Sequence, residues 1–158
     1  MTSDLRPLLQ VPAKAGIFSR EQTIAHRMVL MEHAFVTTIR EEVLRDPRYP
    51  VHVIADRLVP YLQVLVEQFH PEQVILFGSY AYGRPKTDSD VDLLIIKADG
   101  QSPVEDAIAI RRAWRPVRRV FGSLPFDLLV VSIEEHQRRL QHAAGFYDEI
   151  VQHGIRLV

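Results

Sequence analysis

The stretch ILFGSYAYG, Ile75–Gly83, followed by DSDVDLLII, Asp88–Ile96, decides how the chain reads. Val74 to Phe77 is a short apolar run of strand formers, and Val91 to Ile96 is a second. Apolar residues at successive positions suit strands covered on both faces. Gly78-Ser79 ends the first run and opens a turn. Glycine there lets the backbone come close to a ligand, and the N–H groups of such a turn can cradle phosphate. Asp90 and Asp92 stand two apart at the start of the second run. A strand repeats every two residues, so both carboxylates leave the same face. Like charges held together need an offset, and hard carboxylate oxygens suit Mg²⁺. Phosphate beside metal-binding carboxylates is the setting of phosphoryl or nucleotidyl transfer.

A third apolar run, Phe126 to Val131, contains one charge, Asp127. An unpaired carboxylate in a buried strand is costly. It is tolerable where it points at the same metals as Asp90 and Asp92. Two rival motifs fail. Asp88-x-Asp90-x-Asp92 opens like a calcium loop, but Leu93 takes the glycine position and Asp99 the final glutamate. Gly78-x-x-x-x-Gly83 opens like a P-loop, but Arg84-Pro85 follows instead of Lys and a hydroxyl residue.

Outward from this centre the chain alternates. Leu58, Leu62, Leu65, Val66 and Phe69 form the stripe of a helix over about Ile54 to Phe69, which Pro60 kinks or restarts and Pro71 closes. A helical pattern runs from about Pro103 to Phe121, with Pro116 inside it, and Glu134 to Gln141 and Ala144 to His153 also read as helices. Toward the N-terminus, residues 1–18 read as an irregular arm with Pro7, Pro12 and Gly16. Ser19-Arg20-Glu21-Gln22 is a capping box opening a helix with Ile24, Met28, Met31, Phe35, Ile39 and Val43 on one side, ending near Arg45. The order strand, strand, helix, strand, helix, helix predicts an α/β or α+β domain.

The chain has 158 residues, 47% hydrophobic and 25% charged, enough for one domain with a real core and an appendage. No apolar stretch approaches the roughly 20 residues of a membrane span, and the start has no secretory pattern. There is no Cys, which excludes disulfides and thiolate zinc sites and fits the cytoplasm. The net charge is −1, so no global field draws the chain to nucleic acid or membrane, and direct DNA binding is not expected. Charge is uneven: residues 71–110 carry 3 basic and 7 acidic side chains, and residues 111–158 carry 8 and 5. The acidic middle is where a cation could be held.

Ile75 to Gly83 and Asp88 to Leu94 resemble the minimal nucleotidyltransferase (MNT) domain, of the DNA polymerase beta-like nucleotidyltransferase superfamily. Gly145-Phe146-Tyr147-x-x-Ile150-x-x-x-Gly154 is similar to the MNT ending. The resemblance runs from about Ile54 to Val158. It implies a small mixed sheet with packed helices, assigned to residues 51–158, with residues 1–50 as an N-terminal arm and helical extension. It implies that Asp90, Asp92 and Asp127 hold two Mg²⁺ ions, with Asp127 also helping to deprotonate the acceptor hydroxyl. Gly78 and Ser79 would hold the phosphates of a nucleoside triphosphate, ATP in this reading. The family often has Arg where this chain has Tyr82, and Arg84 and Lys86 are the nearby candidates to replace that charge. Many MNT proteins are antitoxins of HEPN-domain RNase toxins, and some transfer AMP to a Tyr of the toxin. That makes a HEPN partner and an adenylyltransferase role the expectation. An antitoxin that acts by docking alone, and an enzyme for small molecules, stay open beside it. So does the oligomeric state, self-association included.

Two further features have plain readings. Arg111, Arg112, Arg115, Arg118 and Arg119 fall within roughly 120° of one helix face, a solvated face or an anion-binding one. The seven His, including His26 and His33, lack metal-ligand spacing and read as structural, and Trp114 reads as core.

Overall fold

Alternation between two periods, two for strands and 3.6 for helices, is what sorts this chain into layers. The computed structural model describes residues 38–98, 102–142 and 145–158, all within one unit, Val36–Val158. The expected arm, the Ser19 capping box, the apolar stripe as far as Phe35, and His26 and His33 lie outside the described residues.

The first described helix, α1 (Glu41–Leu44), is followed by a 3₁₀ turn, Pro50–Ile54, and by α2 (Ala55–Phe69). Pro60 sits inside α2 without ending it. The helix stops where His70 turns left-handed (φ 45°), just before Pro71. Strand β1 (Gln73–Phe77), the short helix α3 (Ser79–Tyr82) and β2 (Val91–Lys97) come next. The expected single helix after β2 is two, α4 (Pro103–Ala113) and α5 (Arg115–Phe121), broken at Trp114 because Pro116 can only sit in a first helical turn. Ser102 and Glu105 cap α4 reciprocally. Then come β3 (Phe126–Ser132), α6 (Ile133–Gln141), α7 (Phe146–His153) and β4 (Ile155–Arg156).

The sheet order is β3-β2-β1-β4. β1 is antiparallel to β2 and β4, whereas β2 and β3 are parallel and joined by the α4–α5 crossover. This is the expected mixed sheet with packed helices. β4 was not expected. It forms because Gly154 ends α7 against β1, where a Cβ would lie 2.3 Å from the Ile150 carbonyl oxygen and 2.5 Å from an Ile75 methyl.

One face of the sheet carries Val74, Leu76, Leu93, Ile95 and Val130 and packs on α2 and α4. Across it Tyr61, Trp114 and Phe126 interlock, with the Tyr61 and Trp114 rings edge to face at 5.4 Å. The Trp114 indole N–H donates to the Tyr61 carbonyl at 2.9 Å, and the Tyr61 hydroxyl to the Gly122 carbonyl at 2.6 Å. The second face carries Ile75, Phe77, Leu94, Ile96 and Val131 and packs on Tyr147 and Ile150 of α7. Among the described residues no helix is long and apolar enough to cross a membrane.

The last residue of β2, Lys97, is buried and donates to Asp106 of α4 at 3.0 Å. Removing one partner strands a buried charge, whereas replacing both with apolar residues does not. Asp106→Ala is therefore expected to lower unfolding free energy by about 3–5 kcal/mol. The double variant Lys97→Met with Asp106→Leu should recover most of that loss in urea titrations.

Candidate active site

Parallel pairing of β2 with β3 sets Asp92 opposite Asp127. Adjacent strands lie about 4.8 Å apart, so the two carboxylates leave the sheet side by side. Both belong to the face that carries Phe77, Leu94 and Leu129. Asp90, two residues before Asp92, precedes the first residue of β2, and its charge acts on the Asp92 carboxyl. Asp90 and Asp127 are exposed, and Asp92 is half-buried. The three negative charges therefore gather at one end of the sheet, where β2 and β3 begin.

Their electrostatics agree with that placement. Burial, then the Asp127 charge, then the Asp90 charge raise the Asp92 carboxyl from its ordinary 3.8 to about 6. Among the described residues no basic side chain counters this shift, and Arg84 and Lys86 are exposed in the loop between α3 and β2. Among the described residues no three Asp, Glu or His side chains are already drawn into a ligand sphere. The donor set nonetheless suits a hard divalent cation, because it consists of carboxylate oxygens whose mutual repulsion a cation would relieve.

Gly78 joins the phosphate turn to these acids. Phe77 is the register partner of Asp92, and Gly78 follows it with φ 69° and ψ −151°. That region belongs to glycine. A Cβ on Gly78 would lie 2.2 Å from an Asp92 carboxylate oxygen. The turn is thus in contact with the acidic cluster. The N–H groups of Ala81 and Tyr82 return to the Gly78 carbonyl and that of Gly83 to the Ser79 carbonyl. Those of Ser79 and Tyr80 have no partner among the described residues. Two main-chain donors and the Ser79 hydroxyl are therefore free to take an anion beside the carboxylates. The loop that follows is fixed by its own hydrogen bond, the Lys86 N–H donating to the Ser89 hydroxyl at 2.7 Å.

Other residues border the site, and of these Arg57 escaped the sequence reading. Arg57 of α2 joins Tyr80 and Lys86 around a cavity of about 290 Å³ beside the turn. It also donates to the Ser123 carbonyl at 2.8 Å. Nothing in its helical context sets Arg57 apart from other exposed helix cations. Phe146, 62% exposed, stands edge-on to Phe77 at 5.7 Å and so borders the carboxylate end of the sheet. Its place in the Gly-Phe-Tyr ending was the one available signal. Tyr82 meets His153 edge-on at 6.2 Å, at the same end.

The family model described as a nucleotidyltransferase domain matches residues 60–156, more than half of the chain and inclusive of Gly78, Ser79, Asp90, Asp92 and Asp127. No curated protein matches the chain.

Two outcomes follow from the geometry. Gly78→Ala forces a side chain into the Asp92 carboxylate and a backbone region costing about 1–3 kcal/mol for other residues, so its melting temperature should fall measurably. The second concerns pH. Asp92 binds a proton more readily folded than unfolded between pH 3.8 and about 6. Its contribution to stability is therefore complete below the lower value and lost as pH rises through the upper. In chelator, Asp92→Asn should flatten that decline in calorimetric melting across the window, and an unchanged slope would count against the clustering.

Proposed function

The chain belongs to the nucleotidyltransferase domain family, and we propose that it transfers AMP from ATP to a hydroxyl group of a protein partner, a Tyr of a HEPN-domain RNase toxin, as that toxin's antitoxin. Nucleotidyl transfer at the coarse level follows from family membership. The observation that supports a triphosphate donor is the contact between the Gly78 turn and Asp92, with Asp127 alongside, whereas the Tyr acceptor and the antitoxin role come from the MNT resemblance. That contact puts anion donors and carboxylates at one spot, as a triphosphate substrate requires.

The free N–H groups of Ser79 and Tyr80 and the Ser79 hydroxyl bind the terminal phosphates. Lys86 and Arg84 add positive charge from the flanking loop. Asp90, Asp92 and Asp127 would hold Mg²⁺, which when bound supplies charge that offsets the triphosphate and activates the α-phosphorus. Asp127, exposed on β3, takes the proton of the acceptor hydroxyl. The acceptor oxygen forms a bond to the α-phosphorus as the bond to the β-phosphate bridge breaks, and pyrophosphate leaves. Holding the two reactants in line provides much of the acceleration.

A docking-only antitoxin is the second reading, and Tyr82 favours it, because the uncharged ring occupies the place where Arg is frequent in MNT proteins. The two readings separate with labelled ATP, Mg²⁺ and the product of the neighbouring gene. Transfer predicts label on the partner that falls at least about a hundredfold in Asp90→Ala with Asp92→Ala, the scale on which losing a charge-stabilising group slows an enzyme. Complex formation without label, unchanged in that variant, would leave docking alone.

A further inference from the structure

Among the described residues β3 is an edge strand, paired on one side only. The Val91 N–H donates to the Pro125 carbonyl, and this sets the phase of the parallel ladder. Asp127, Leu129 and Val131 turn their main-chain groups toward β2, and Phe126, Leu128 and Val130 turn theirs outward. The Phe126 carbonyl is met at 3.5 Å by the Arg111 guanidinium. The N–H and C=O groups of Leu128 and Val130 have no partner among the described residues. Val130 is buried and Leu128 half-buried, and such unpaired edge groups are a template for another strand.

A cleft of about 670 Å³ opens on the Leu129–Ser132 part of this edge and stops short of Phe126 and Arg111. Its floor is Leu129 to Ser132, with Asp106 of α4 on one wall and Arg138 and Arg139 of α6 on the other. A second copy of the chain would bring its own α4 and α6 to the same side, so the walls favour one extended segment over another sheet. Charge distinguishes the two ends. At the far end it is self-paired, Lys97 with Asp106, and Arg138 and Arg139 with Glu135. At the Phe126 end Arg111 reaches the edge, and Arg112, Arg115, Arg118 and Arg119 on the same helix pair are exposed with no ion pair among the described residues. Asp90, Asp92 and Asp127 stand at the same end on the opposite face, so the matching ligand is acidic only on the face toward Arg111 and apolar beside Leu129 and Val131.

The edge also leads to the acids. A residue lying directly opposite Asp127 on an added strand turns its side chain to the same face, with Cβ atoms about 5 Å apart. We propose that the free edge of β3 captures, by strand addition, an extended segment of a protein partner, acidic where it passes Arg111, and so sets a hydroxyl-bearing residue of that segment beside Asp127. The role of the hydroxyl rests on the transfer reading above; the capture does not. Main-chain pairing supplies the affinity, and the cationic end fixes direction and register.

The test selects nine-residue peptides with a fixed central Tyr from a displayed random pool on the full chain, then maps amide hydrogen exchange with the enriched peptides bound. Capture predicts acidic residues on one side of the Tyr and slowed exchange at the Leu128 and Val130 amides. Methylating alternate peptide nitrogens should weaken binding about tenfold or more, the scale of one or two main-chain hydrogen bonds. Leu128→Pro, which removes an outward donor and spares the β2 ladder, should do the same, and the methylated peptides decide the matter if that variant folds poorly. No enrichment, protection elsewhere, or indifference to methylation overturns the proposal. So does a dimer of the chain alone in sedimentation with these two amides already protected. Labelled ATP is scored separately. Edge protection without label keeps the capture and removes the transfer reading, and label without edge protection does the reverse.

Discussion

Repulsion among Asp90, Asp92 and Asp127 is the constraint around which the rest is arranged. The ladder between β2 and β3 holds Asp92 opposite Asp127, because Leu128 and Val130 pack on one face of the sheet and Leu129 and Val131 on the other in that register. The strands are therefore held in a register that is favourable for Leu93, Ile95 and Val130 and unfavourable for the acids. A fold that tolerates such a conflict has it at a functional position, where local rules are broken for a reason.

The helices fix that register from both sides. On one face the Tyr61–Trp114–Phe126 interlock ties α2 and the α4–α5 junction to the start of β3, one residue from Asp127. On the other, Tyr147 and Ile150 of α7 cover Ile75, Phe77 and Leu94, and the Tyr147 hydroxyl shares a 2.6 Å hydrogen bond with the His136 ring of α6. Among the described residues cover on this second face thins toward the carboxylates, where the Phe146 ring stands in solvent. The acids are therefore supported from beneath and accessible from above.

Much of this was legible in the sequence where short-range rules apply. Alternation put Asp90 and Asp92 on one face, and a lone carboxylate among Leu and Val residues marked Asp127. Gly78 was legible as a glycine that something must approach, though only coordinates show that the near atom is an Asp92 oxygen. What could not be read depended on partners distant along the chain. Lys97 and Asp106 look like two ordinary surface charges until α4 packs on β2. β4 has two residues, too few for any periodicity, and exists because β1 has a free side. The edge position of β3 is a matter of strand order, which hydrophobic pattern does not encode. Trp114 was placed in the core, but its role as the hinge between two helices emerges only with Pro116 seated in the first turn of α5.

Trp114 is also the sole tryptophan of the chain, fully enclosed and pressed edge-on against Tyr61. One indole in a dry, rigid setting makes the molecule its own optical gauge. Its ultraviolet emission belongs to a single environment, reads the integrity of the junction between α2, α4 and α5, and shifts to the red when water reaches the ring.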